Sequence, residues 1–383
     1  MGLAFISLLR WDVSLQVRVI ILVDLDYFFA QCEERRDQSL KDKPVVVCVF
    51  SGRTSDSGAV STANYIAREY GVRSGMPIYL AKKKLENADA VFLPVDCAFY
   101  EEISGKLMTT LRNFADRFEQ VGIDEAYLDV THRTEGNFEE AGGLAERIKN
   151  ELQIQQKLTC SIGVGPNKLV AKIAADSNKP DGLTIIKPEQ VESFLYPLPV
   201  SRLIGIGVKT TEKMQTLRIN TIFDLANYDM QKLITVFGKT LATYFHNAAL
   251  GKDDEPVEEK GEAESIGRIS TLKQDSRDLS FILEKIDQLC NEIHATIAAE
   301  RVTFKTVGII AILTDMSIHT RSKTLENHTN DLEIMKDTVR ELFEKFPDKT
   351  KLEARRVGVK ISNLVREKRN QKQLTSFVEP SRT

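Results

Sequence analysis

The sequence is poor in the features that mark specialised chains. Its five cysteines (Cys32, Cys48, Cys97, Cys160, Cys290) lie far apart and none forms a C-x-x-C pair. That spacing indicates neither a zinc knuckle nor a disulfide framework, and reduced, mostly buried thiols inside a cell are expected. No apolar run reaches the roughly 18–20 residues of a membrane helix, so no membrane association is expected and the location is read as cytoplasmic. There is no internal repeat and no low-complexity tract. The opening MGLAFISLLRW has an apolar stretch, but no basic residues precede it and no small-x-small cleavage site follows. Ile6 breaks the myristoylation pattern. Residues 1–18 are read as an extension of unassigned role.

What is present is ordinary globular material. With 42% hydrophobic and 28% charged residues, wholesale disorder is excluded. A chain of 383 residues has room for two to four domains, each with its own core. The net charge of -3 conceals an asymmetry: the part from Ser265 onward carries +4 and the part before it -7. Residues 351–372 hold eight basic side chains against two acidic ones. A basic C-terminal part on an acidic body suits a polyanionic partner, and a solvated lysine-rich surface has the same composition. Between the two parts, GKDDEPVEEKGEAE (251–264) carries seven acids and no apolar period. It reads as a linker kept extended by self-repulsion.

Along the chain, Val19–Val23 reads as a buried strand ending in Asp-Leu-Asp, and 27–34 turns helical. Pro44–Phe50 is a second strand, 59–70 a short helix ended by Gly71, and 99–118 a long amphipathic helix. Residues 120–130 read as two strand segments bent around Asp124-Glu125, followed by a helix at 141–152 and a strand at 158–164. Residues 187–250 are helical with short turns. After the acidic stretch, a helix (279–299), a strand (305–313), a helix (331–346) and a strand (354–362) predict a separate small α+β domain.

Asp24 and Asp26 stand two apart at the end of a buried strand, so both leave one face. Asp124-Glu125 is a second acidic pair inside an apolar segment. Carboxylates that interrupt core strands are costly unless paired or bound to metal. Hard oxygen ligands without neighbouring His or Cys point to magnesium rather than zinc, and two such ions can serve a phosphoryl transfer. Strand-end carboxylates in solvent are the plainer reading of either pair alone. Neighbouring strand residues face opposite ways, so Asp124 and Glu125 serve one site only at a bend or hairpin tip.

Five segments carry a resemblance: VDLDYFFAQCEE, SGAVSTANYIAREYGVRSGMPI, IDEAYLDV, CSIGVGPNKLVAKIAADSNKPDGL and SIGRISTLK. In this order the chain resembles the Y-family DNA polymerases of the DinB (polymerase IV) type, in their archaeal form. The likeness runs from about Val19 to about Lys360. It implies a multidomain α+β right-hand polymerase. The parts are a ferredoxin-like palm (19–27 and 95–186), small fingers (28–94), a helical thumb with a helix-hairpin-helix (187–251), the acidic linker (252–264), an α+β little-finger domain (265–366) and a tail (367–383). It further implies low-fidelity, template-directed addition of deoxynucleotides past damaged bases, with primer-template DNA and deoxynucleoside triphosphates as substrates and two magnesium ions per site. A catalytically silent DNA-binding repair factor of the same fold is the alternative. A palm-fold nucleotide cyclase would leave the helix-hairpin-helix and the basic final domain without purpose.

Site residues follow from the resemblance position by position. Asp24, Asp124 and Glu125 match the catalytic, metal-binding carboxylates, and the carbonyl of Leu25 matches a main-chain metal ligand. Asp26 belongs to the motif but receives no ligand role. Thr62, Tyr65 and Arg68 fall at i, i+3, i+6 of the predicted 59–70 helix and, with Lys179, match the triphosphate-binding groups. Phe29 matches the steric gate against a 2′-hydroxyl. Tyr27 and Phe28 flank it as packing residues, Phe28 being counted with the nucleotide pocket. Ala59, Ser61 and Gly75 match small residues over the templating base, whose loose fit implies tolerance of damage.

For DNA, LIGIGVKTTEKMQTL (203–217) resembles a helix-hairpin-helix, with Gly205 and Gly207 letting backbone amides approach a phosphate. It departs from the common pattern at Ile204, where relatives often have Pro, and at Arg218, where they often have Gly. Arg268, Lys273, Arg277, Arg321, Lys323, Arg355, Arg356 and Lys360 are candidates for tracking the duplex backbone. In the tail, Gln371, Leu374 and Phe377 fit a sliding-clamp-binding peptide. A monomer is expected.

Overall fold

A computed structural model describes residues 17–259, 261, 263–344 and 352–366. The chain divides into two compact units. The first gathers the residues up to Val49 and Ala59–Lys260, the second Phe50–Gly58 and the residues from Gly261 onward. The block 28–94 therefore contributes to both.

The first unit starts with β1 (Ile20–Leu25), whose six residues are all buried. Both of its faces are covered, which is why its sequence is a continuous apolar run rather than an alternation. Then follow α1 (Phe28–Arg36), β2 (Val45–Phe50), β3 (Gly58–Ala63), α2 (Tyr65–Glu69), α3 (Ile78–Lys84), β4 (Val91–Pro94) and α4 (Cys97–Arg112). Next come β5 (Arg117–Gln120), β6 (Glu125–Asp129), α5 (Phe138–Gln156), β7 (Cys160–Gly165), α6 (Lys168–Ser177) and β8 (Leu183–Ile185). The main sheet runs β5-β6-β1-β7-β8, and β1 is antiparallel to both of its neighbours. Leu107 and Leu111 of α4 and Ile148 and Leu152 of α5 pack with Ile21 and Val23 on one face. Ala171 and Ala175 of α6 pack with Ile20 and Leu22 on the other. α6 lies so close to β7 that a Cβ on Gly163 would stand 2.0 Å from the Ala171 carbonyl oxygen. Only glycine permits that approach.

A second sheet, β3-β2-β4, closes over a small core of Val46, Val60, Ala67 and Ile78. Here the predicted 59–70 helix is corrected. Residues 58–63 are strand, and the helix begins only after Asn64, whose Oδ1 accepts from the Ala67 and Val45 amides at 2.9 and 3.1 Å. This N-cap fixes the boundary, and Thr62 therefore sits on a strand while Tyr65 and Arg68 sit on the helix. The predicted 99–118 helix likewise stops at Arg112. The Asp116 carboxylate there accepts from the His132 and Arg133 amides at 2.8 and 3.1 Å, turning the chain into β5.

Five helices complete this unit: α7 (Val191–Leu195), α8 (Val208–Thr216), α9 (Ile222–Ala226), α10 (Met230–Phe237) and α11 (Lys239–Ala249). They enclose Leu203, Met214, Leu225, Leu233 and Phe245. The acidic stretch that follows is not the free, self-repelling linker predicted for it. Its first half is held against the unit: Asn167 donates to the Gly251 carbonyl at 2.7 Å, the Leu169 amide to Asp253 at 3.0 Å, and Lys168 to Glu255 at 3.0 Å and Glu119 at 2.9 Å. Val257 is buried beside Ile20 and Leu22. Glu255 and Glu259 are paired with cations outside the stretch, Lys168 and Arg112, so self-repulsion alone does not govern it.

The second unit contains β9 (Ser265–Ser276), α12 (Leu279–Glu300), β10 (Val302–Leu313), β11 (Ile318–Thr329), α13 (Leu332–Glu344), β12 (Ala354–Ser362) and β13 (Val365–Arg366). Its sheet runs β11-β10-β12-β9, all antiparallel. Ile286 and Ile293 of α12 and Val339 of α13 pack on Val307, Val357 and Val359. β9 and β11 have no counterpart in the sequence-based expectation, because β11 is an almost wholly exposed edge strand with little apolar signal.

Two substitutions test this packing. Gly163→Ala should destabilise the protein by about 3 kcal/mol or more, read as a lower melting temperature. Arg218, at φ +62°, occupies a backbone conformation that costs a side chain about 1–2 kcal/mol. Arg218→Gly should recover roughly 0.5–1 kcal/mol after its larger unfolded-state entropy is counted, read as a small rise in melting temperature.

Candidate active site

The register of the main sheet builds the site. Asp24 stands directly opposite Glu125 on β6 and opposite Ser161 on β7. Asp124 precedes β6 at the end of the 121–124 turn, and its carbonyl accepts from the Leu25 amide at 2.9 Å. The acidic pair thus lies at a hairpin tip, where neighbouring residues reach one cavity. That cavity measures about 360 Å³ and is lined by Asp24, Leu25, Asp26, Asp124 and Glu125 on one side. Thr62, Tyr65, Arg68, Ser74, Lys172 and Lys179 line it as well, with Tyr27 and Phe28.

Its electrostatics centre on Asp24, which is 7% exposed. Lys172 and Lys179 each place an ammonium 2.7 Å from Asp24 Oδ2. Burial alone would raise the Asp24 carboxyl; the two ammonium groups outweigh it and hold it below the usual range. Lys172 also reaches Glu125 Oε2 at 2.5 Å, and Lys179 reaches Asp176 at 2.8 Å. Burial pulls both ammonium groups down, and their carboxylate partners overcome it. Asp124 goes the other way: burial, then the charges of Asp24 and Glu125, push its carboxyl up. Four acidic side chains, Asp26 included, against Lys172, Lys179 and Arg68 leave the cavity lining one positive charge short.

The donor set fits a hard divalent cation: carboxylate oxygens converging with a backbone segment at one wall and neither His nor Cys beside them. Among the described residues no group of three acidic, His or Cys side chains is already arranged around an ion site.

The remaining candidates are placed as follows. Arg68 donates from Nε to the Ala63 carbonyl at 2.9 Å and lies 4.8 Å over the Tyr65 ring. Phe29 is not among the residues lining the cavity; it stacks on Tyr100 with centroids 4.3 Å apart and planes 14° apart. The Tyr100 hydroxyl in turn donates to the buried Glu33 at 2.7 Å. Phe28 is 2% exposed and belongs to the main core. The Gly75 amide donates to the Val60 carbonyl at 2.8 Å, which brings the turn bearing Gly75 beside the strand that bears Ser61. Sequence reasoning missed Lys172 and Tyr100. The spacing of Lys172 and Asp176, four apart on one helix, was the available signal for the first.

In the helical part, Gly205 has φ +84° and Gly207 forms the N-cap of α8. The Tyr244 hydroxyl donates to the Ile204 carbonyl at 3.0 Å and braces the hairpin. The basic residues of the second unit do not share one face. Arg268 lies opposite buried Val359 and reaches Thr296 of α12 at 3.3 Å, on the helix-covered side with Lys323, which bonds Glu341 of α13. Arg355 is committed to Asp275 at 3.2 Å. Lys360 and Arg356 occupy the opposite face, in rows with Gly308 and Ile312. Lys273 and Arg277 are exposed on and just beyond β9. Gln371, Leu374 and Phe377 lie outside the described residues.

Comparison with known proteins gives the family. Residues 23–176 match the impB/mucB/samB family, 263–376 its C-terminal domain and 188–219 the IMS family HHH motif. DNA polymerase IV of Nitrosopumilus maritimus is 48% identical over 364 residues, covering 95% of this chain and all of the relative. DNA polymerase IV of Methanosarcina acetivorans is 44% identical, covering 92% and 97%. Among solved structures, a Y-family DNA polymerase chimera matches with TM-score 0.84 at 39% identity, covering 91% of this chain and all of the other. An insertion ternary complex of Dbh DNA polymerase matches with TM-score 0.67 at 39% identity over the same shares. No helix among the described residues is long and apolar enough to cross a membrane.

Because Asp124 is held among like charges, Asp124→Asn should raise the melting temperature of chelator-treated protein at neutral pH. The same change should weaken binding of manganese, used as a probe, by at least about tenfold. A fall in melting temperature would show that Asp124 has a stabilising partner instead.

Proposed function

The chain belongs to the impB/mucB/samB family, the Y-family DNA polymerases of the polymerase IV type, and from that premise we propose how its own residues divide the work. The protein is a template-directed DNA polymerase of the translesion type, dependent on divalent metal, with primer-template DNA and nucleotides as substrates. The reading of a catalytically silent DNA-binding factor is not favoured. The observation that carries the residue assignment is one cavity in which Asp24, Asp124 and Glu125 face Thr62, Tyr65, Arg68 and Lys179.

In this assignment two magnesium ions would be held by Asp24, Asp124, Glu125 and the Leu25 carbonyl, and they would supply activation of the primer 3′-hydroxyl and charge neutralisation on the leaving pyrophosphate. Thr62 and Tyr65 offer hydroxyls, and Arg68 and Lys179 offer cations, to the triphosphate oxygens. Lys172 holds Asp24 and Glu125 in one place before substrate arrives. Phe29, backed by Tyr100, sets the floor beneath the sugar and excludes a 2′-hydroxyl by shape, and Phe28 supports it from the core. Ala59, Ser61 and Gly75 leave the templating base loosely covered, so that discrimination by fit is weak.

Amides around Gly205 and Gly207 are assigned to the DNA backbone. In the second unit the backbone contacts are assigned to Lys360 and Arg356 with Lys273 and Arg277, whereas Arg268 and Arg355 serve first as structural pairs. The tail peptide Gln371, Leu374 and Phe377 is assigned to a sliding clamp, the protein acts as a monomer, and its compartment is the cytoplasm.

Primer extension on a primed template tests the core of this assignment. Wild type should add deoxynucleotides, and Asp124→Ala should lose at least about a thousandfold in rate. Phe29→Ala should admit ribonucleotides while retaining deoxynucleotide addition. A Phe29→Ala enzyme that still rejects ribonucleotides removes the gate assignment and leaves the carboxylates standing.

A further inference from the structure

We propose that Asp26 is a positioning residue for Lys179, the buried anchor of the turn that presents this lysine to the nucleotide. The proposal rests on the reading of Lys179 as a triphosphate-binding group.

Asp26 is the acid of the V-D-L-D motif to which the family resemblance gives no role, and it is 1% exposed. A carboxylate buried to that degree needs full compensation. It receives three neutral donors: the Ser161 hydroxyl on Oδ1 at 2.8 Å, and the Thr159 hydroxyl and the Asp181 backbone amide on Oδ2, each at 2.9 Å. The first two come from the start of β7 and tie β1 to it. The third is 155 residues away in sequence and belongs to the turn Asn178–Gly182, two positions after Lys179.

That turn is held from a second direction. The Lys149 ammonium, on α5, donates to the Asp181 carbonyl at 2.5 Å, to the Asp181 carboxylate at 2.6 Å and to the Cys160 carbonyl at 2.9 Å. Asp26 therefore takes the N–H of residue 181 while Lys149 takes its carbonyl, and both are tied to β7. The turn leaves no slack: Asp181 has φ +54°, and a Cβ on Gly182 would overlap the Asn178 carbonyl oxygen at 1.6 Å. With position 181 fixed, Lys179 reaches 2.7 Å from Asp24 and 2.8 Å from Asp176, already at the cavity wall. A cation fixed before the ligand arrives binds it without an ordering cost.

A carboxylate is the group that fits here. Ionised, it only accepts, and its two oxygens take three donors at once. An asparagine of the same size must turn an NH₂ toward at least one of them. With its carbonyl oxygen in the Oδ2 place, asparagine still accepts from Thr159 and the Asp181 amide and turns its NH₂ to Ser161, whose hydroxyl can reverse, so Asp26→Asn should be mild, whereas Asp26→Ala leaves the Asp181 amide without its acceptor.

The test measures deoxynucleotide affinity in the complex with a dideoxy-terminated primer-template, so that no turnover contributes, alongside steady-state kinetics. Asp26→Ala should weaken nucleotide binding about tenfold and raise KM to match, while kcat changes less than about threefold. Lys149→Met, a residue outside the cavity, should shift KM in the same direction and decides the matter if Asp26→Ala does not fold. Each of these changes added to Lys179→Ala should cost nothing beyond Lys179→Ala alone, because they act through one side chain. If Lys179→Ala leaves nucleotide affinity intact, the reading of Lys179 and this proposal fall together. If Lys179→Ala weakens binding while Asp26→Ala and Lys149→Met do not, the proposal alone falls. Full additivity with Lys179→Ala, or a loss confined to kcat, overturns it as well.

Discussion

Everything in the catalytic unit answers to one electrostatic constraint: three carboxylates must stand together in a half-buried cavity. In a medium less polar than water their mutual repulsion is strong, and Asp124 carries its mark. Positive charge has to be brought to them from the protein itself. Lys172 and Lys179 do this, and both come from α6 and the turn beyond it. The approach of α6 to the sheet is therefore part of the electrostatic solution. It requires glycine at position 163 in the facing strand, because a side chain there would meet helix backbone. A packing detail on the α6-facing side of β7 and a charge pair in the cavity are in this sense one feature.

Much of this was legible in the sequence, and the parts that were not have definite reasons. The buried apolar run ending at Asp24 declared itself a central strand, and the carboxylate motifs, read as a family pattern, led to the cavity. Asp124-Glu125 lay at a hairpin tip, the one place where adjacent residues reach a common site. The 59–70 segment was misread because a small-residue strand followed by a one-turn helix has no clear period. The boundary is set by the Asn64 side chain, which caps the helix and bonds β2 as well. The edge strand β11 carries too few apolar residues to stand out. The acidic stretch after α11 looked free because the partners of its acids lie far off in sequence, Lys168 being 87 residues from Glu255.

The second unit shows the limit of reading function from charge along a chain. Its basic residues cluster in sequence, yet β-structure sends successive side chains to opposite faces. Arg268 and Lys323 thus meet the helices that cover the core, and Lys360 meets the open face. Arg355 is bound to Asp275. A count of arginines and lysines overstates the number that a polyanion can reach together.

The opposition of Asp24 and Glu125 across two strands has a consequence for how this gene can change. Side chains alternate along a strand with period two, so moving the pairing by one residue turns a whole strand over. An inserted or deleted codon between Ile20 and Asp24 would send Asp24 toward the face covered by α4 and α5, and it would turn the apolar set of β1 at the same time. Point substitutions in β1 can be absorbed by repacking, whereas a single-residue change of length cannot. Length variation between the strand's start and its acidic end should therefore be absent from working descendants of this chain, and variation should collect in the turns on either side.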